Sequence, residues 1–104
     1  MKEYGIACTD KYYWPVQWSY PSGWAPIQFI AYHAFNNYGK TEYAKEVAKK
    51  YMSLVEKVFA LKGDLFEKYN VIEGSDNATD EGKVHHTMMG WTAGVYMYFD
   101  SKIR

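Results

Sequence analysis

Thr41 to Lys62, TEYAKEVAKKYMSLVEKVFALK, is the stretch from which the rest of the chain can be read. Ala44, Val47, Ala48, Tyr51, Val55, Val58 and Phe59 recur at three- and four-residue spacing, opposite a Lys/Glu face that includes Glu46 and Lys50 at i,i+4. That period predicts an amphipathic helix over 42–62, with Thr41 as N-cap and Lys62-Gly63-Asp64 as its stop. Upstream, Pro26 suits a first helical turn, and Ile27, Ile30, Ala31 and Ala34 form a second apolar stripe. A helix over 26–38, closed by Gly39, follows. Because only Gly39-Lys40 separates the two helices, they are expected to pack antiparallel as a helical hairpin.

Downstream, Leu65 to Val71 is too short and mixed to classify by period, and IEGSDNATDEGK, residues 72–83, reads as a long loop rich in turn residues and charge. Met88 to Phe99 is then apolar on nearly every side, with Gly90 and Gly94 four apart. A helix of that kind belongs in the middle of something. Three helices wrap it poorly, so the chain is expected to be part of a larger fold.

Composition narrows the partners. The 104 residues carry twelve basic and twelve acidic side chains, which leaves no electrostatic footprint for nucleic acid or an anionic membrane. No apolar run reaches the ~18–20 residues that a membrane-spanning helix needs. The lone Cys8 forms no internal disulfide, and the charged start MKEYGIACTD lacks a secretory apolar core, so a cytoplasmic location is expected. Aromatic residues make up 19% of the chain, including eleven tyrosines and four tryptophans. Such side chains pair a flat apolar face with a polar tip, which suits both sugar recognition and buried interfaces. They crowd into Gln17 to Pro26, QWSYPSGWAP, immediately before the first helix.

That segment, extended to Gln28 as QWSYPSGWAPIQ, resembles a signature of the α,α-trehalase family of glycoside hydrolases, usually Gln-Trp-Asp-x-Pro-x-Gly-Trp-x-Pro. Glu67-Lys68-Tyr69-Asn70-Val71 is similar to the family's EKYDV, and Gly90-Trp91-Thr92-Ala93-Gly94-Val95 to its GWTNGV, in the family's order. Related inverting α-glucosidases share a Glu-x-Tyr-Asn and a Gly-Trp-Thr-Ala. The resemblance implies an all-α fold belonging to an (α/α)6 toroid. Residues 1–104 would be its C-terminal portion, an incomplete toroid of about three helices with a long loop before the last. It also implies that the exposed apolar surface meets either the missing N-terminal part of the toroid or another copy of the chain.

Inverting enzymes use one carboxylic acid to protonate the departing oxygen and a second carboxylate to activate water, ~6.5–9.5 Å apart. The resemblance places the acid in an upstream Gly-Trp-Asp-type motif that has no match here. It places the base in a glycine-rich loop, where ungapped alignment falls on Gly82 and a one-residue slip restores Glu81, while the likeness to the related α-glucosidases leaves Glu67 open as the alternative base. The substrate-binding residues it implies are Gln17, Trp18, Ser19, Trp24, Glu67 and Trp91, facing a small carbohydrate such as trehalose or a related α-glucoside. Ser19 stands where the family has Asp, so its hydroxyl bonds a sugar without the charge that strengthens such contacts. The family uses no cofactor and no metal.

Each of these residues also has a plainer reading. Trp18 and Trp24 suit packing as well as sugar contact, Glu67 suits a salt bridge, and Glu81 and Asp80 suit a solvated loop. Adjacent His85 and His86 point in different directions and make a poor metal site, and His33 reads as a packing histidine. Cys8 has no neighbour that argues for nucleophilic catalysis, and Asn77-Ala78-Thr79 matches only the glycosylation triplet. The leading expectation is therefore part of a trehalase-like hydrolase, inactive alone. A non-catalytic carbohydrate-binding module and a structural oligomerisation module are the alternatives.

Overall fold

A computed structural model of the chain describes residues 1–9, 20–76, 87 and 90–104. In chain order these form β1 (Ser22–Trp24), α1 (Ala25–Asn37), α2 (Thr41–Lys62), β2 (Lys68–Asn70) and α3 (Gly90–Ile103). The fold is mostly helical, as expected, with a two-stranded antiparallel ribbon added to it. Tyr38, Gly39 and Lys40 turn the chain between α1 and α2, and α3 packs against both helices.

Helix α2 follows the sequence closely. Ala44, Val47, Ala48, Tyr51, Val55 and Val58 are buried as the stripe predicts, and Met52 and Leu54 widen it. Phe59, at the edge of that stripe, is 52% exposed. The cap lies one residue earlier than expected: Lys40 takes the N-cap position without a side-chain bond, and Thr41 is the first helical residue. At the other end Gly63 adopts φ 72°, a left-handed conformation that glycine enters without the steric cost of a Cβ, and its N–H bonds the Phe59 carbonyl at 2.7 Å. Glu46 and Lys50 form the i,i+4 ion pair at 2.9 Å.

Helix α1 exists where expected but presents a different face. Ala25, Gln28 and Tyr32 are buried, whereas Ile30 is 61% exposed and Ala34 is exposed. The aromatic side prevails because Phe29 and Tyr32 both meet Tyr98 of α3, and Tyr32 lies 5.1 Å from Phe99. Large rings bury more apolar area than the Ile/Ala stripe can. Tyr51 of α2 closes the same aromatic core against Phe99 and Tyr69.

Helix α3 lies at one side of this core. It buries Thr92, Val95 and Phe99, while Met97 is 62% exposed and Gly90 and Gly94 face open space. No described helix is long and apolar enough to cross a membrane.

The unclassified stretch after α2 becomes β2. Its register pairs Ser22 with Asn70, Gly23 with Tyr69 and Trp24 with Lys68. A Cβ on Gly23 would lie 2.4 Å from Val71 Cγ1 and 2.9 Å from the Ile6 carbonyl, so the close approach of three segments requires glycine there. The N-terminal segment completes the layer: Tyr4 N–H bonds the Val71 carbonyl, Cys8 N–H bonds the Ser22 carbonyl, and the Gln28 amide holds Ile6. Asn70 Oδ1 accepts from the Ile72 and Glu73 amides, which starts the turn predicted at the head of the long loop. The rest of that loop, residues 77–83, lies outside the described residues.

Candidate functional site

The three motifs meet where the ribbon abuts the first turn of α3. Trp24 ends β1 and serves as the N-cap of α1 in an extended conformation. Its ring packs edge-to-face on Trp91, the second residue of α3, with centroids 5.5 Å apart at 75°. Across the ribbon, Lys68 Nζ sits 5.2 Å from the centroid of Trp24 and 3.5 Å from Glu67 Oε1. The Lys68 side chain is 1% exposed and that of Glu67 is 15% exposed.

The backbone beneath this cluster is pinned at Phe66. Its N–H donates to the Tyr69 hydroxyl at 3.0 Å, and its carbonyl accepts from Thr92 Oγ1 at 2.7 Å. Phe66 also bridges to Thr87. One residue before Glu67, the chain is thus tied to both β2 and α3. Both phenols below are shifted: burial pushes the Tyr69 hydroxyl up to about 12, and burial also raises Tyr51 far above the ordinary tyrosine range. Neither ionises near neutrality, so they act as hydrogen-bonding and packing groups.

Of the sequence-predicted site residues, Trp24, Glu67 and Trp91 come together. Trp24 is buried, and Trp91 and Glu67 keep partial exposure, so they form the outer surface of the cluster. Gln17, Trp18, Ser19 and Glu81 lie outside the described residues, as do Asp80, His85 and His86. The residue that sequence reasoning passed over is Lys68. Its signal was its place beside Glu67 in the motif, but a lysine is normally read as solvated.

Elsewhere, His33 packs against the rings of Phe29, Tyr32 and Tyr98, with centroid distances of 4.5 to 5.5 Å. Burial raises the Cys8 thiol to about 11, which removes the thiolate needed for nucleophilic attack. Tyr96 donates a hydrogen bond to Glu56, holding that carboxyl below its usual range, and Arg104 pairs with the same Glu56 at 2.9 Å. Among the described residues, Val55, Glu56, Phe59, Leu65, Ala93, Tyr96 and Met97 line a largely apolar cavity of about 290 Å³ between α2 and α3, and Trp24, Glu67 and Trp91 are not part of that lining.

A helical hairpin, a third helix across it and an aromatic cluster edged by Glu67 define a mostly helical protein whose candidate site is assembled from three distant segments. The chain belongs to the trehalase family: the family model described as Trehalase matches residues 1–103. It is similar to the periplasmic trehalase of Pseudomonas aeruginosa, 32% identical over 82 residues, covering 76% of this chain and 14% of that protein. A probable trehalase of Eremothecium gossypii is 37% identical over 79 residues, covering 68% of this chain and 11% of its own length. Among solved structures, the neutral trehalase Nth1 from Saccharomyces cerevisiae superimposes with a TM-score of 0.64 at 27% identity, covering 85% of this chain and 14% of that one. The chain thus spans about one seventh of the length of the trehalases it matches.

Proposed function

We propose that this chain supplies one wall of the sugar site of a glycoside hydrolase acting on trehalose or a related α-glucoside. The observation that carries the reading is the convergence of Trp24, Glu67 and Trp91, drawn from three separated motifs, on one cluster. In this reading Trp91 presents an aromatic face to the sugar, Glu67 accepts hydrogen bonds from its hydroxyls, and Trp24 forms the floor behind them. Gln17, Trp18 and Ser19 are the further candidate sugar-binding residues, and Glu81 is the candidate general base that activates water; all four lie outside the described residues. Hydrolysis needs a second carboxyl to protonate the leaving oxygen, and a positioned proton donor contributes about 10²–10⁴-fold. No motif in the 104 residues supplies that acid, so the chain alone binds without turnover.

Titration of the chain's tryptophan fluorescence with trehalose and glucose tests this. Saturable quenching, without release of glucose from trehalose, is the expected result. An unsaturable response equal to that of glycerol overturns it.

A structural reading is favoured by a different observation: Ile30, Phe59, Leu61 and Met97 are large apolar side chains that the chain leaves more than half exposed. It expects self-association by light scattering and no sugar-dependent quenching; a monomer counts against it.

A further inference from the structure

We propose that Lys68 is a positioning residue of the sugar site, its buried ammonium fixing the Glu67 carboxylate against the Trp24–Trp91 pair. The sugar part of the claim rests on the function proposed above; the positioning part does not.

Burying a lysine is unfavourable unless its charge is met by close partners. Here the side chain is 1% exposed, and partners among the described residues include the face of Trp24 and Glu67 Oε1. Neighbouring residues in a regular strand point to opposite faces, so Lys68 could not meet Glu67 if both were in the ladder. Only Lys68 is. It is the cross-strand partner of Trp24, whereas Glu67 lies at a bend just outside β2. The bend follows Phe66, whose amide and carbonyl are held by Tyr69 and Thr92. The backbone therefore turns where it must for the carboxylate to reach back to the ammonium. The cation in turn loads the ring that Trp91 packs against, so one charge ties together the end of β1, the start of β2 and the start of α3.

The test compares the full chain with Lys68→Met, which keeps length and apolar stem, with Lys68→Arg, and with Lys68→Met/Glu67→Gln. Without sugar and at constant pH, NMR reads the Glu67 carboxyl ¹³C resonance and the Trp24 indole N–H. Lys68→Met is expected to retain helical circular dichroism, to move both resonances, and to weaken trehalose binding about tenfold. Lys68→Arg recovers part of both effects, and the double variant loses no more affinity than Glu67→Gln alone, because the two residues act as a unit. Unmoved resonances in Lys68→Met, or additive losses in the double variant, overturn the proposal. If the unaltered chain binds neither trehalose nor glucose, the sugar reading falls while the two resonances still decide the positioning role. Should Lys68→Met fail to fold, Glu67→Gln decides instead: it must move the Lys68 side-chain and Trp24 indole resonances, and if they stay put the proposal is wrong.

Discussion

Gln28 grips Ile6 by both ends of its side-chain amide: Oε1 accepts from the Ile6 N–H at 2.8 Å, and Nε2 donates to the Ile6 carbonyl at 2.7 Å. A wholly buried glutamine on α1 thus takes the place of a neighbouring strand for the N-terminal segment. The grip lies on the same face of α1 that Tyr32 turns towards Tyr98 and Phe99.

Gln28→Ala leaves a backbone donor and acceptor without that partner beneath β1. Each such orphan costs about 1–3 kcal/mol when fully buried, and Ile6 is only half-buried, so a loss of about 2–4 kcal/mol in urea-unfolding free energy is expected. Small domains hold only about 5–15 kcal/mol in total. Gln28→Glu is expected to do nearly as badly, since it cannot donate to the Ile6 carbonyl when ionised.

Gly23→Ala meets Val71 Cγ1 at 2.4 Å and the Ile6 carbonyl at 2.9 Å. Overpacking of this kind costs about 1–3 kcal/mol. Adding Val71→Ala should recover only part of the loss, because the carbonyl contact remains. Full recovery in the double variant would show that Ile6 moves freely.

Thr92→Val keeps the shape of the side chain and removes the hydroxyl that donates to the Phe66 carbonyl. The expected cost is about 1–3 kcal/mol, from stranding a buried acceptor. Because Phe66 precedes Glu67, the proposed sugar site also expects trehalose affinity to fall, and Thr92→Ser should restore both quantities in the same urea and fluorescence titrations.

Alkaline pH should destabilise the chain through its buried phenols. Burial raises the folded-state value of Tyr69 to about 12, against about 10 for an unfolded tyrosine. Its contribution is therefore complete below pH ~10 and is lost as the pH rises towards ~12, at about 1.4 kcal/mol per pH unit. Tyr51 is shifted in the same direction, by burial first and then by Tyr69. Urea midpoints between pH 9 and 12 should fall, and Tyr69→Phe should fall less steeply; equal slopes would remove Tyr69 from the account.

How much of this was legible depends on the range of the interaction. The bounds of α2, its Gly63 stop and the Glu46–Lys50 pair rest on contacts within a turn or two of helix, so period and local propensity suffice to find them. That Trp24, Glu67 and Trp91 would lie near one another was legible as well, through the order of three motifs.

The inward face of α1 was not, because apolar residues lie on both of its sides and the choice was made by Tyr98 and Phe99 of α3. The ribbon was not, because three-residue strands carry no period, and each of β1 and β2 exists only through its partner far along the chain. The burial of Lys68 was least visible of all. By itself the sequence determined the helices and the company of motifs, since those follow from neighbours in the chain. Only the tertiary structure decided which faces turn inward and that a lysine is buried between Trp24 and Glu67, since both depend on groups brought together from three separate segments.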